Sequence, residues 1–190
     1  MKGLTDSIIK DLFQKTGVEE EFFPYYEEEL KRRYKDSQEE HPQVDTEKYI
    51  KTYVDCIKKG KSEVYAKQFA YRIVDFEWSK EYCDLYATKY EKCINKGREA
   101  RNAKVIAWAY VDLYEEYWPE DDNLLGIEAH KGYMEGFEYA IDNNIDSPQK
   151  FAEEYEDIYL SILFPHEMDK SLKKQWIYEE HLKKLFPNSF

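Results

Sequence analysis

Residues 53–75 read YVDCIKKGKSEVYAKQFAYRIVD and residues 90–112 read YEKCINKGREARNAKVIAWAYVD, with ten of the 23 positions identical at an offset of 37. Tyr53 matches Tyr90, Cys56 matches Cys93 and Gly60 matches Gly97; Ala66, Lys67 and Ala70 match Ala103, Lys104 and Ala107; Tyr71 aligns with Trp108. A further copy begins at Phe137, and its helix ends in Asn143-Asn144 where the others have Lys-Gly. Asparagine is the next-best residue after glycine for the left-handed position that ends a helix, so the exchange keeps the turn. A period of this length marks stacked supersecondary units, each of which buries its apolar face only against its neighbours. The unit predicted here is a helical hairpin, with a turn at the glycine between two helices of about fifteen residues.

The punctuation of the chain agrees. Thr5 to Thr16 forms one apolar face (Ile8, Ile9, Leu12, Phe13) and stops at Gly17. Pro24 suits the first turn of a second helix running to about Ser37, and Pro42 separates it from the next. Asp45 or Thr46 can cap a helix through Lys59, Ser62 one through about Glu77, and Ser79 one through Lys96. A long helix over Glu99–Tyr117 stops at Pro119, and another follows over about Asn123–Asn143. Ser147-Pro148 opens one that ends before Pro165, and a last one runs over about Glu167–Leu185. Strand alternation and Asn-Gly turns are missing. The expected class is therefore all-α, with seven or eight helices stacked as antiparallel hairpins in a short, right-handed, solenoid-like array. Residues 1–190 are expected to form one domain, with N-terminal helices over 5–38, hairpin repeats over about 45–165 and a capping helix over 167–185.

The segment 90–112, with its aromatic, small residue, Lys-Gly turn and spaced alanines, resembles the helical-hairpin repeat families, the tetratricopeptide and Sel1-like repeats. The Trp-Leu-Gly-Tyr pattern of the first and the Leu-Gly step of the second are missing, so the resemblance transfers no binding residue. It implies a scaffold that binds a partner.

Charge is unevenly spread. The net charge is −12. Residues 105–169 hold 17 acids against Lys131 and Lys150, a net of −15, so the remainder is +3. The densest part is Asp112, Glu115, Glu116, Glu120, Asp121 and Asp122, preceded by the basic Lys89, Lys92, Lys96, Arg98, Arg101 and Lys104. Such a stretch serves as a solvated face, a docking surface for a basic partner, or a mimic of a nucleic-acid backbone. In the last respect the composition resembles that of small, acidic, helical phage inhibitors of host defence nucleases. Direct nucleic-acid binding is not expected, because the basic excess that supplies phosphate affinity is lacking. No apolar run reaches the 18–20 residues of a membrane span, the first residues lack the apolar core of a signal peptide, and a cytoplasmic location is expected.

Motifs for catalysis are sparse. His41, His130, His166 and His181 share no helix face, and His166-Glu167-Met168-Asp169 lacks the second histidine of a zincin. Cys56, Cys83 and Cys93 form no CxxC pair and suit small buried positions. Gly60-Lys61-Ser62 has the last letters of a P-loop but no glycine at position 55 and no preceding strand. No cofactor or metal is expected. Of the 18 tyrosines, Tyr82, Tyr86 and Tyr90 line one helix face, and Tyr110, Tyr114 and Tyr117 another, flanked by Trp108 and Trp118. They serve either as packing between hairpins or as an aromatic groove for a peptide or helix. The function expected is non-catalytic protein–protein interaction. Its surface would comprise Tyr86, Tyr90, Trp108, Tyr110, Tyr114, Glu115, Glu116, Tyr117, Trp118, Glu120, Asp121 and Asp122, and its partner would be a protein with a basic surface. The alternatives are the nucleic-acid-mimicking inhibitor and an enzyme whose site is assembled from distant residues.

Overall fold

The computed structural model describes residues 5–35, 40–117 and 124–163. Among them are eight α-helices, one short 3-10 turn over Glu20–Phe22, and no strand. The helices are α1 (Asp6–Thr16), α2 (Phe23–Lys35), α3 (Pro42–Lys58), α4 (Glu63–Asp75), α5 (Lys80–Asn95), α6 (Ala100–Tyr117), α7 (Leu124–Asp142) and α8 (Pro148–Leu163). The expected all-α array is what the chain forms. The C-terminal helix expected over 167–185 lies outside the described residues. The chain divides into two compact units, Met1–Lys96 and Gly97–Phe190.

The turns are built as their residues dictate. Gly17, Gly60 and Gly97 take φ values of +70°, +78° and +80°, and Asn144 takes +51° at the same place in the last copy. The side chains of Ser62 and Ser79 accept hydrogen bonds from the backbone N–H of Tyr65 and Tyr82, which the first turns of α4 and α5 leave without helical partners. One start differs from expectation. Pro42 does not precede α3 but begins it, because its missing N–H is not required there. Neither Asp45 nor Thr46 caps the helix; Thr46 is buried within it and donates its hydroxyl back to the Pro42 carbonyl.

In the N-terminal unit each helix packs on the next along the chain, and α1 also reaches α3. One core joins Ile9 and Phe13 of α1, Tyr26 and Leu30 of α2, Tyr53 of α3, and Ala66 and Ala70 of α4. A buried ion network pins α2 to the end of α4. Arg33, 1% exposed, holds Glu29 at 2.8 Å through Nε and Asp75 at 2.8 Å through Nη1. Arg32 adds a 2.6 Å contact to Glu29 from the solvent side. Burial raises the Asp75 carboxyl above its ordinary value against the pull of the two arginines.

In the C-terminal unit α6 packs on α7 and α7 on α8. The approach of α7 to α8 depends on two glycines. A Cβ on Gly136 would lie 2.7 Å from Tyr155 Cβ and 3.1 Å from Ala152 Cα, and one on Gly132 would lie 2.8 Å from Tyr159 Cδ1. Phe151, Tyr155 and Tyr159 stack along α8 at centroid spacings of 6.3 and 6.4 Å.

The repeat extends further than the identities. The ring pairs Tyr49–Tyr53, Tyr86–Tyr90 and Tyr133–Phe137 stand at the same distance before the left-handed residues 60, 97 and 144. Each pair is stacked, with centroids 6.4, 6.2 and 6.2 Å apart. The third copy therefore begins upstream of Phe137.

Candidate functional site

The expected surface divides into residues that are buried and residues that are half-exposed. Tyr86 and Tyr90 do not line a groove: Tyr86 is 0% exposed and Tyr90 7%. Tyr86 is covered by Trp78, Tyr90 and Arg72, and of these Arg72 is the charged one. Its guanidinium, itself buried, lies 4.1 Å from the Tyr86 ring centroid, 4.5 Å from that of Phe76 and 5.3 Å from that of Trp78. A cation drawn inward is stabilised by the faces of these rings, which fixes the Tyr86 side of α5 against α4. Burial raises the hydroxyl pKa of Tyr86 and of Tyr90.

On α6, Trp108, Tyr110 and Tyr114 are half-buried and Asp112 is exposed. A spacing of four puts Tyr110 and Tyr114 on one side of the helix, and a spacing of two puts Trp108, with Asp112, on the opposite side. Tyr110 lies against the buried His130 of α7, with ring centroids 4.9 Å apart. Glu115, Glu116 and Tyr117 continue the helix in backbone; their side chains, and all of Trp118, Glu120, Asp121 and Asp122, lie outside the described residues.

The acids of α7 are largely engaged within their own unit. Glu128 accepts a hydrogen bond from the Tyr159 hydroxyl at 2.8 Å. Glu138 and Asp142 each take Arg98 at 2.6 Å, and Asp142 accepts from both its Nε and Nη2. Glu135 is half-buried; desolvation raises its carboxyl, opposed by Lys131 and by the Tyr155 hydroxyl. The acids exposed to water in this unit include Asp112, Asp146 and Glu153.

Chemistry at cysteine is not supported. All three cysteines are buried. Desolvation raises the Cys56 thiol and pushes Cys83 up to about 12, the opposite of what an attacking thiolate requires. Among the described residues no group of three or more His, Cys, Asp or Glu side chains could hold a metal ion, and no helix is long and apolar enough to cross a membrane.

One feature was not foreseen from the sequence. A hollow of about 560 Å³ in the N-terminal unit is lined by residues of α3, α4 and α5, with Lys51, Lys59, Lys61 and Lys80 among them. Its signal was present in the spacing of Tyr65, Phe69 and Ile73, a stripe at i, i+4 and i+8 on α4 with lysines on the flanking elements. No family model, no curated protein and no solved structure matches the chain, so function has to be argued from these residues alone.

Proposed function

We propose that the chain is a non-catalytic helical scaffold that binds another protein, through the α6 surface and the acidic run that continues from it. One observation carries this reading. Tyr110 and Tyr114 on one side of α6 and Trp108 on the other are left half-buried, at the start of the segment that holds the whole negative excess of the chain, whereas Tyr86 and Tyr90 of α5 are sealed. Large amphipathic rings beside charge suit an interface, with the rings supplying contact area and the charge supplying encounter rate and choice of partner. The partner this fits carries a basic surface. The engagement of Glu128, Glu138 and Asp142 with Tyr159 and Arg98 favours docking over mimicry of a nucleic-acid backbone, which needs its carboxylates turned to the partner.

The test is affinity capture from the source cell across a salt series. The wild type is compared with a charge-reversed variant at Glu115, Glu116, Glu120 and Asp121, and with Tyr110→Ala/Tyr114→Ala. Capture that weakens with salt and is lost in both variants supports the reading. Capture of the same partner by the charge-reversed chain overturns it.

A further inference from the structure

We infer that the hollow across α3, α4 and α5 is a second binding site, of opposite sign, for an acidic amphipathic helix presented by a partner protein. It lies in the N-terminal unit and does not depend on the α6 surface. The floor is the α4 stripe. Tyr65 is buried, with its ring stacked on Phe69 at 5.7 Å, and Phe69 and Ile73 remain half-buried. Residues i to i+8 span roughly 12 Å along a helix, about the length over which a helical ligand presents anchors at i, i+4 and i+7.

Polarity is set by the rim. Lys51 stands on α3, Lys59 and Lys61 in the turn after it and Lys80 at the start of α5. Against these four ammonium groups the hollow has two carboxylates, Asp55 and Asp84. Asp84 accepts the Tyr65 hydroxyl and sits 3.7 Å from Lys61. Asp55 pairs with Lys59 at 2.6 Å. The current partners of Lys51 and Lys59 are exposed i,i+4 neighbours, Glu47 and Asp55. Such pairs contribute only a few tenths of a kcal/mol, so a ligand's carboxylates can replace them at little cost. An apolar floor between lysine walls fits a helix whose apolar side faces inward and whose flanks carry Asp or Glu. A basic or uniformly polar helix would leave either the lysines or the Phe69–Ile73 stripe uncompensated.

The experiment titrates the full chain into three fluorescently labelled peptides and follows anisotropy. The first is a helix-forming peptide with Leu at i, i+3, i+4 and i+7 and Glu on both flanks. The second has the same composition scrambled, and the third has Lys in place of Glu. The first peptide is expected to bind, the other two about tenfold or more weakly. Lys51→Glu/Lys80→Glu is expected to weaken the first peptide by about tenfold or more, with the far-UV circular dichroism and melting curve unchanged. Lys51→Gln/Lys80→Gln, which introduces no repulsion, is expected to fall between. Equal binding of the scrambled or the lysine peptide overturns the inference, as does unchanged affinity in the glutamate variant. Self-association in sedimentation that the same variant abolishes would assign the hollow to a second copy of this chain and also overturn it.

Discussion

The hairpins α3–α4 and α7–α8 share a plan and differ in where they place bulk. In both, a stacked aromatic pair on the first helix precedes a left-handed turn residue: Tyr49–Tyr53 before Gly60, and Tyr133–Phe137 before Asn144. In α3–α4 the small residues, Ala66 and Ala70, are on the second helix, and a buried Arg33 network braces α4 from α2. In α7–α8 the small residues are Gly132 and Gly136 on the first helix, and tyrosines on the second press against their backbone. The turn and the aromatic pair are thus the constant parts of the repeat. The rest of each interface is solved separately, once by charge and once by close approach.

The largest expected effect breaks the first solution. Arg33→Met leaves the buried Glu29 and the half-buried Asp75 with only the outer Arg32 as a cation, and should cost about 3–5 kcal/mol in chemical denaturation. A loss below 1 kcal/mol would mean the network does not brace α4. Next, Gly136→Ala should cost about 1–3 kcal/mol through overpacking, partly offset by the better helix propensity of alanine. At Gly132 the added Cβ meets the Tyr159 ring first, so Gly132→Ala combined with Tyr159→Ala should cost clearly less than the sum of the single changes. The opposite exchange in the other hairpin, Ala70→Gly, should cost only about 1 kcal/mol.

The turns give smaller effects. Gly60→Ala places a Cβ at φ +78° and should cost about 1 kcal/mol, whereas Asn144→Gly should be neutral or stabilising by a few tenths. The smallest effect is a pH slope. The Glu135 carboxyl is raised by burial, so the folded chain binds its proton more tightly than the unfolded chain. Its contribution to stability therefore falls as pH rises from the ordinary glutamate value of 4.5 through the higher folded value. Glu135→Gln, which can still accept from the Tyr155 hydroxyl, should flatten that part of the melting temperature–pH curve. An unchanged slope would assign it to another group, such as Asp75, whose shift has the same sign.

Much of the fold was legible because local chemistry decides helix ends. Gly60, Gly97, Ser62 and Ser79 act in the structure as they read in the sequence, and the helix bounds follow from them. The site was less legible, for a physical reason. A tyrosine stripe at i and i+4 looks the same whether it meets a neighbouring helix or a partner, and only the placement of neighbours such as Arg72 and Trp78 seals Tyr86. Gly132 and Gly136 were obscure because glycine inside a helical pattern signals weakness until the ring that needs its space is in place. Arg33, within LKRRYK, reads as part of a solvated face, since its acids lie on another turn and another helix.

The burial of the cysteines has a practical consequence. Cys56, Cys83 and Cys93 are the only thiols in the sequence, and all three lie before residue 97. A thiol-specific reagent added to the native protein can react only when those side chains are transiently uncovered, so its rate is a clock for opening of the N-terminal unit. The C-terminal unit is silent to that clock. One labelling time course, read beside a global denaturation curve, therefore reports whether the two halves of the chain come apart together or in turn.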